Sequence, residues 1–285
     1  MTARARLGKE FCWGERYAGR RFALWGWMLG IGILGVGLAD PAGGPLLAGE
    51  TEKSSAPESG SVHPAAQHKN ASATCAESPP PAPSPKAAED PHAWKALFDG
   101  KTLKGWKAPQ FGGEGKVEVK DGQIILHAGE TMTGIVYEGK LPTTNYELEL
   151  EGKRINGSDF FATTTFPVGD SHVSFVTGGW GGTVIGISCV DWRDASDNPT
   201  SAFREFKNNQ WYKFRIRVTD ARIQVWIDGD PVVDLPRKGY KFSVRAECDP
   251  CRPLGIASWC TTGAVRNIRL RLLKPEEVKQ AAEEN

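Results

Sequence analysis

The chain has 285 residues, 40% of them hydrophobic and 24% charged, with 35 Lys and Arg against 34 Asp and Glu. A net charge of +1, with cations interleaved among apolar residues instead of clustered, excludes a phosphate-tracking surface, so nucleic acid is not an expected partner. The 33 Gly and 19 Pro call for many turns or a linker beside one or two globular domains.

Arg4, Arg6, Lys9, Arg16, Arg20 and Arg21 precede an apolar run at residues 22–39, the order of a charged region and a hydrophobic region in an export signal. The run lies at the boundary between a long cleaved signal and a short retained anchor, and both readings of residues 1–39 stand. Residues 40–92 are rich in Ala, Pro, Ser and Glu, with ESPPPAPSPKAAED at their centre. Such a segment buries too little apolar surface to offset its ordering entropy, so it is expected to be a disordered, extended stalk. Export followed by a stalk places the remainder in the periplasm or outside the cell, touching a membrane only through the N-terminal segment.

From residue 93 to 273 the pattern is strands and turns. Strands are predicted at 116–120, 123–127, 146–151, 159–166, 173–176, 184–190, 254–259 and 265–272. The clearest signal is 211–233, WYKFRIRVTDARIQVWIDGDPVV. Tyr212, Phe214, Ile216 and Val218 alternate with Lys213, Arg215 and Arg217, and after Thr219-Asp220-Ala221 the alternation resumes through Ile223, Val225 and Ile227. This is a half-buried antiparallel hairpin whose outer face carries Trp226 and charge. About ten short strands without amphipathic helices between them predict an all-β sandwich of two antiparallel sheets. The tail, residues 274–285, reads as a short exposed helix with Pro275 at its start.

Of the six cysteines, Cys189, Cys248, Cys251 and Cys260 fall in the globular part, an even number that permits three pairings. Cys248-Asp249-Pro250-Cys251 has the spacing of a zinc, redox or disulfide motif. No second such pair or His pair accompanies it, so structural disulfides are expected and a metal site is not.

Trp94-Lys95-Ala96-Leu97-Phe98-Asp99-Gly100-Lys101-Thr102-Leu103-Lys104-Gly105-Trp106 resembles the opening signature of the 3-keto-disaccharide hydrolase domain family, abundant in exported bacterial proteins. Val119-Lys120-Asp121-Gly122-Gln123-Ile124, the 211–233 hairpin, and the closing stretches 253–257 and 265–272 support the resemblance. It implies a concanavalin-like jelly roll, a saccharide or glycoside as partner, and 3-keto-disaccharides or related glycosides as the substrate class. The middle departs from the family pattern: Asn156-Gly157-Ser158-Asp159 stands where members often show Asn-Ser-Gly, Gly178-Gly179-Trp180-Gly181-Gly182 replaces a polar strand, and Ser258-Trp259-Cys260 stands where many show His-Gly. The resemblance therefore carries fold and substrate class, not catalytic residues.

Cleaving a 3-keto glycoside needs a base near C2, a cation or hydrogen-bond donor at the ketone oxygen, and a proton for the leaving oxygen. His172, in the loop after Gly169-Asp170-Ser171, is the favoured base. Asp191, Arg193 and Asp194 are further catalytic candidates, presenting carboxylates and a cation in one loop. Trp180, Trp192 and Trp259 offer indole faces for sugar stacking, and Asn198 an amide for hydroxyls. Glu147, Glu149 and Glu151 share one face of a strand without the spacing of a glucanase, and read as a solvated edge. Asp228 and Asp230 flank Gly229 and serve a turn, with calcium as the alternative; no other cofactor is expected.

Three functions fit these residues. An exported hydrolase or lyase would bring carboxylates and a histidine together in a concave pocket. A noncatalytic carbohydrate-binding sandwich would show an aromatic strip without convergent titratable groups. An interaction domain with no sugar ligand would have its concave face filled.

Overall fold

The computed structural model describes residues 90–284. The expected export segment and nearly all of the stalk lie outside them, and no helix among the described residues is long and apolar enough to cross a membrane.

The strands run in chain order as β1 (Lys95–Ala96), β2 (Trp106–Lys107), β3 (Val117–Lys120), β4 (Gln123–Leu126), β5 (Met132–Tyr137), β6 (Tyr146–Asn156), β7 (Thr163–Val168) and β8 (Ser171–Gly179). They continue as β9 (Val184–Ser188), β10 (Ala202–Phe203), β11 (Trp211–Val218), β12 (Arg222–Ile227), β13 (Asp230–Pro236), β14 (Gly255–Trp259) and β15 (Thr262–Leu272), before the helix α1 (Pro275–Glu283). An eight-stranded sheet has the order β13-β12-β11-β6-β15-β4-β3, with β1 also paired to β15, and a seven-stranded sheet has the order β10-β9-β8-β7-β14-β5-β2. All pairings are antiparallel. This is the two-sheet sandwich that the strand pattern predicts.

Leu148, Leu150, Phe214, Ile216, Ile223 and Val225 of the larger sheet pack against Ile135, Phe166, Val173, Phe175, Ile187 and Ile256 of the smaller, all buried. The hairpin forms with Phe214 opposite Ile227 and Val218 opposite Ile223, because alternation puts one complete apolar set inward in that register. The opening signature is explained by its turn and its anchor. The Asp99 carboxylate accepts from the Lys101 and Thr102 backbone N–H groups at 2.8 and 2.7 Å and from the Thr102 hydroxyl at 2.6 Å, which hold its pKa at about 2. Trp106 is buried, donates Nε1–H to the Leu97 carbonyl at 2.8 Å and leans on Tyr137.

Four expectations are corrected. Strands β1, β2, β5, β10 and β13 lie outside the predicted set, and β6 and β8 run longer than predicted, so His172 sits on β8 and not in a loop. Glu147, Glu149 and Glu151 are not at a solvated edge: β6 is central, and β11 and β15 on its flanks lay cations over all three. Cys189, Cys248 and Cys251 are thiols, not a disulfide framework, because Cys248 and Cys251 sit in one short 3-10 turn, Ala246–Cys251, with both sulfurs packed onto the smaller sheet. The C-terminal helix is not merely exposed. Ala281 is fully buried, and α1 crosses the outer face of the larger sheet from Arg271 of β15, bound to Glu277, to Gln224 of β12, bound to Glu284 at 3.1 Å.

Candidate functional site

The outer face of the smaller sheet presents alternate residues of its strands: Val184 and Ser188 of β9, His172, Ser174 and Val176 of β8, Thr163 and Thr165 of β7, Ala257 and Trp259 of β14, and Met132 of β5. Two segments fold back over it. Residues 189–200 pack Ala195 against Val176 and Val184, and the Ala246–Cys251 turn packs Cys248 and Cys251 against Met132 and Ala257. Phe160 reaches both groups. The middle of this face is thus filled by the chain's own side chains, the arrangement expected of a domain without a sugar ligand there. Titratable groups are left at its margins.

At one margin, His172 is half-buried. Burial, and next the charge of Arg252, push its pKa below the usual imidazole value, while Asp249 opposes them. The ring is therefore neutral, able to accept a proton, with a guanidinium nearby that is itself bound to Asp249 at 2.7 Å. Asp249 and Arg252 escaped the sequence reading because Cys248-x-x-Cys251 drew attention to sulfur alone.

The loop after β9 adjoins this margin. The Ser171 hydroxyl donates to the Phe242 carbonyl at 2.7 Å, and Phe242 pairs with Val190. Asp191 accepts from the Lys241 N–H at 2.8 Å, and Lys241 Nζ lies 4.9 Å from the Trp192 ring, which is 70% exposed. Asp191 and Trp192 are consecutive residues in the left-handed region, φ 48° and 62°, which is costly for a bulky side chain. Arg193 is exposed, its backbone exchanging bonds with Val190. Asp194 turns the other way, onto Arg245, with Ser188 Oγ at 3.3 Å and Cys189 Sγ at 3.4 Å. Asn198 is buried. Its Nδ2 faces the carbonyls of Ile187, Arg193 and Asp194 at 2.7, 3.0 and 2.7 Å, and its Oδ1 accepts from the Thr200 N–H and hydroxyl. Both ends of its amide hold the loop together.

A second cluster lies below Trp180, which is 37% exposed with φ 49°. Asp159 accepts from the N–H groups of Phe160 and Gly181, yet burial raises its pKa, with Arg154 pulling the other way. Arg154 is buried; its Nε donates to Asn208 at 2.7 Å and its Nη2 to the Phe206 carbonyl, while Nη1 has no hydrogen-bond partner. A Cβ at Gly182 (φ 109°) would come within 2.6 Å of the Ser158 carbonyl and 3.0 Å of Arg154 Nη1, so the glycine is required there. Asp159 and Arg154 were missed by sequence reading, which treated this stretch only as a departure from a family pattern. Trp259 lies 6.4 Å from Phe160, centroid to centroid, between these clusters and the filled middle. The predicted site residues are thus distributed along one side of the smaller sheet, and do not converge on a single point.

Among the described residues, no group of three or more His, Cys, Asp or Glu is placed to hold a metal ion. Asp228 and Asp230 face Arg204 at 3.4 and 3.3 Å, and Asp228 also accepts from the Lys213 N–H at 2.7 Å.

Fold and site define an antiparallel β-sandwich with indoles and titratable groups around one partly filled sheet. The 3-keto-alpha-glucoside-1,2-lyase-like domain family matches residues 93–271, and the chain belongs to that family, as residues 94–106 indicated. No curated protein matches the sequence. Similar solved structures include the Crh5 transglycosylase in complex with NAG (13% identity, 64% of this chain and 85% of that chain, TM-score 0.45). A β-1,3-1,4-glucanase (lichenase) derived from a mouse hindgut metagenome (9%, 64% and 99%, TM-score 0.43) and the carbohydrate-binding module CBM66 of Bacillus subtilis (12%, 59% and 95%, TM-score 0.38) are also similar. At these levels the likenesses do not bear on what this chain binds or cleaves.

Proposed function

We propose that the chain is an exported protein that cleaves 3-keto-disaccharides or related glycosides by elimination, with His172 as the base. The observation that carries this reading is the half-buried His172 on β8, whose neutral form is favoured by burial and by the charge of Arg252. The C3 ketone acidifies the C2 hydrogen. His172 takes that proton, the electron pair forms an enolate, and the Arg252 guanidinium neutralises the charge developing on the C3 oxygen. Collapse of the enolate forms the C1–C2 double bond and breaks the C1–O bond; the proton held on His172 passes to the departing oxygen. Addition of water to the double bond completes a net hydrolysis. Asp191, Arg193 and Trp192, on the loop next to the start of β8, serve as sugar contacts, with Trp180 and Trp259 as further stacking faces. Asp194 and Asn198 position that loop. Export and release outside the cytoplasm rest on the N-terminal sequence alone.

A noncatalytic carbohydrate-binding role is the second reading, favoured by the exposed indole of Trp192 and by predicted titratable residues that do not converge. The full-length protein is incubated with 3-keto glucosides and their unoxidised parents, and release of the leaving group is followed. Release from the keto forms alone, lost in His172→Gln, supports the elimination. Glycan binding without release from either set supports the second reading and retires the first.

A further inference from the structure

The outer face of the larger sheet carries a charge grid that neither reading uses. In the β-sheet register, Glu147, Glu149 and Glu151 of β6 lie opposite Arg217, Arg215 and Lys213 of β11 on one side, and opposite Arg271, Arg269 and Arg266 of β15 on the other. Six cations therefore flank three carboxylates. The Glu147 row is closed by α1, whose Glu277 binds Arg271 at 2.7 and 2.8 Å. Away from α1, the pattern opens. Lys153, Lys213, Arg215, Arg266 and Arg269 stand there around Glu149 and Glu151, with Arg215 also 4.0 Å from Glu147.

We propose that this open end is a docking surface for an acidic polysaccharide, independent of the catalysis proposed above. Across the whole grid seven cations, Lys153, Lys213, Arg215, Arg217, Arg266, Arg269 and Arg271, stand against four carboxylates, Glu147, Glu149, Glu151 and Glu277, a surplus of three. The surplus also points outward. The Glu149 side chain is 8% exposed, whereas those of Lys213, Arg215, Arg266 and Arg269 are 51, 35, 38 and 43% exposed. Indoles hold the cations flat: Trp211 lies between Lys153 at 4.6 Å and Arg266 at 4.0 Å, Arg215 is 3.9 Å from the Trp226 ring, and Arg269 is 4.5 Å from the Trp94 ring. Stacking leaves in-plane N–H groups for an oxyanion: Arg266 spends Nε on Glu151 and Arg269 spends Nε and Nη2 on Glu149, and their remaining donors and those of Arg215 face outward. Further out, carboxylates hold fewer lysines and arginines, Glu118 binding Lys116 and His127 and Asp234 binding Arg222.

The spacing favours a sparsely charged polymer. Neighbouring strands are roughly 4.8 Å apart, and three surplus charges spread over three strands match about one anion per sugar. A nucleic acid duplex carries one charge per roughly 1.7 Å of axis, denser than these surplus cations.

The test is titration of the full-length protein with polygalacturonate, with dextran and double-stranded DNA in parallel, at 50 and 200 mM salt. Polygalacturonate is expected to bind, at least tenfold more weakly at the higher salt, with dextran unbound and DNA at least tenfold weaker. Replacing Lys153→Gln and Lys213→Gln together is expected to weaken binding about fivefold or more, while Lys107→Gln, on the other sheet, changes it less than twofold. Thermal melting of each variant shows that the fold is intact; both replaced lysines leave the buried Glu147 row untouched. Absence of polygalacturonate binding, DNA binding of equal strength, or a folded double variant that binds like the parent would each overturn the proposal.

Discussion

Arg217 of β11 reaches across to β6 and places Nε at 2.9 Å and Nη2 at 2.8 Å from the same carboxylate oxygen of Glu147, whose side chain is 2% exposed. Arg271 of β15 binds the other oxygen with Nε at 2.9 Å. Removing the carboxylate takes from Arg217 its buried partner and leaves Arg271 held by Glu277 alone, with both guanidinium groups only 14% exposed. Glu147→Ala is expected to cost about 3–5 kcal/mol, read as a fall in the urea midpoint. The exposed pair Lys107–Glu138 at 3.6 Å is the contrast, with Glu138→Ala costing less than about 1 kcal/mol.

His172 gives the pH dependence of cleavage. Its base form is the neutral ring, and burial and Arg252 lower its pKa, so the acidic limb of the cleavage profile is expected at lower pH than for an ordinary imidazole. Arg252→Gln removes a charge that opposes protonation, so the acidic limb moves upward while the maximal rate falls roughly 10²–10³-fold. His172→Gln is expected to lower the rate roughly 10²–10⁴-fold without moving the melting temperature by much. Stability carries the same sign: the unfolded chain binds this proton more readily, so the contribution of His172 is present above the ordinary imidazole value and is lost as pH falls through its folded value. Rate and melting profiles over pH check both statements.

Asp159 has the opposite sign. Burial raises its pKa despite Arg154, so its contribution is fully present below the ordinary carboxylate value and is lost as pH rises through the folded value. Asp159→Asn keeps an acceptor for the Phe160 and Gly181 N–H groups and removes the buried charge. It is expected to raise the melting temperature at pH 7, with no gain at pH 3.

Asn198→Ala leaves the Ile187, Arg193 and Asp194 carbonyls and the Thr200 N–H without their partners. A loss of about 1–3 kcal/mol is expected. Sugar affinity, measured well below the lowered Tm, is expected to change less than that of Trp192→Ala, because the amide faces backbone and the indole faces solvent.

Burial pushes the Cys248 thiol up to about 11 and the Cys251 thiol higher still. Alkylation at pH 8 followed by peptide mass spectrometry is expected to leave both unmodified in the native protein and to label both after unfolding in denaturant. Recovery of a Cys248–Cys251 disulfide from the freshly purified native protein would contradict the thiol assignment.

The sequence by itself determined the architecture where one face of a strand had to be buried. Tyr212, Phe214, Ile216 and Val218 can turn inward in one register only, and Asp99, Gly100 and Trp106 specify a turn and an anchor through local contacts. Glu147, Glu149 and Glu151 had the same period-two signal, but periodicity does not say whether a strand is central or at an edge. That depended on β11 and β15, about 65 and 120 residues further along, arriving on either side with cations in step. The candidate site was legible as residue types, not as an arrangement. His172 acquired Arg252 and Asp249 through a turn that folds back over the smaller sheet, and Asn198 spent its amide on carbonyls whose positions only the folded loop fixes. Charge partners and burial come from contacts distant in sequence, so the tertiary structure alone decided which polar groups remained free to meet a ligand.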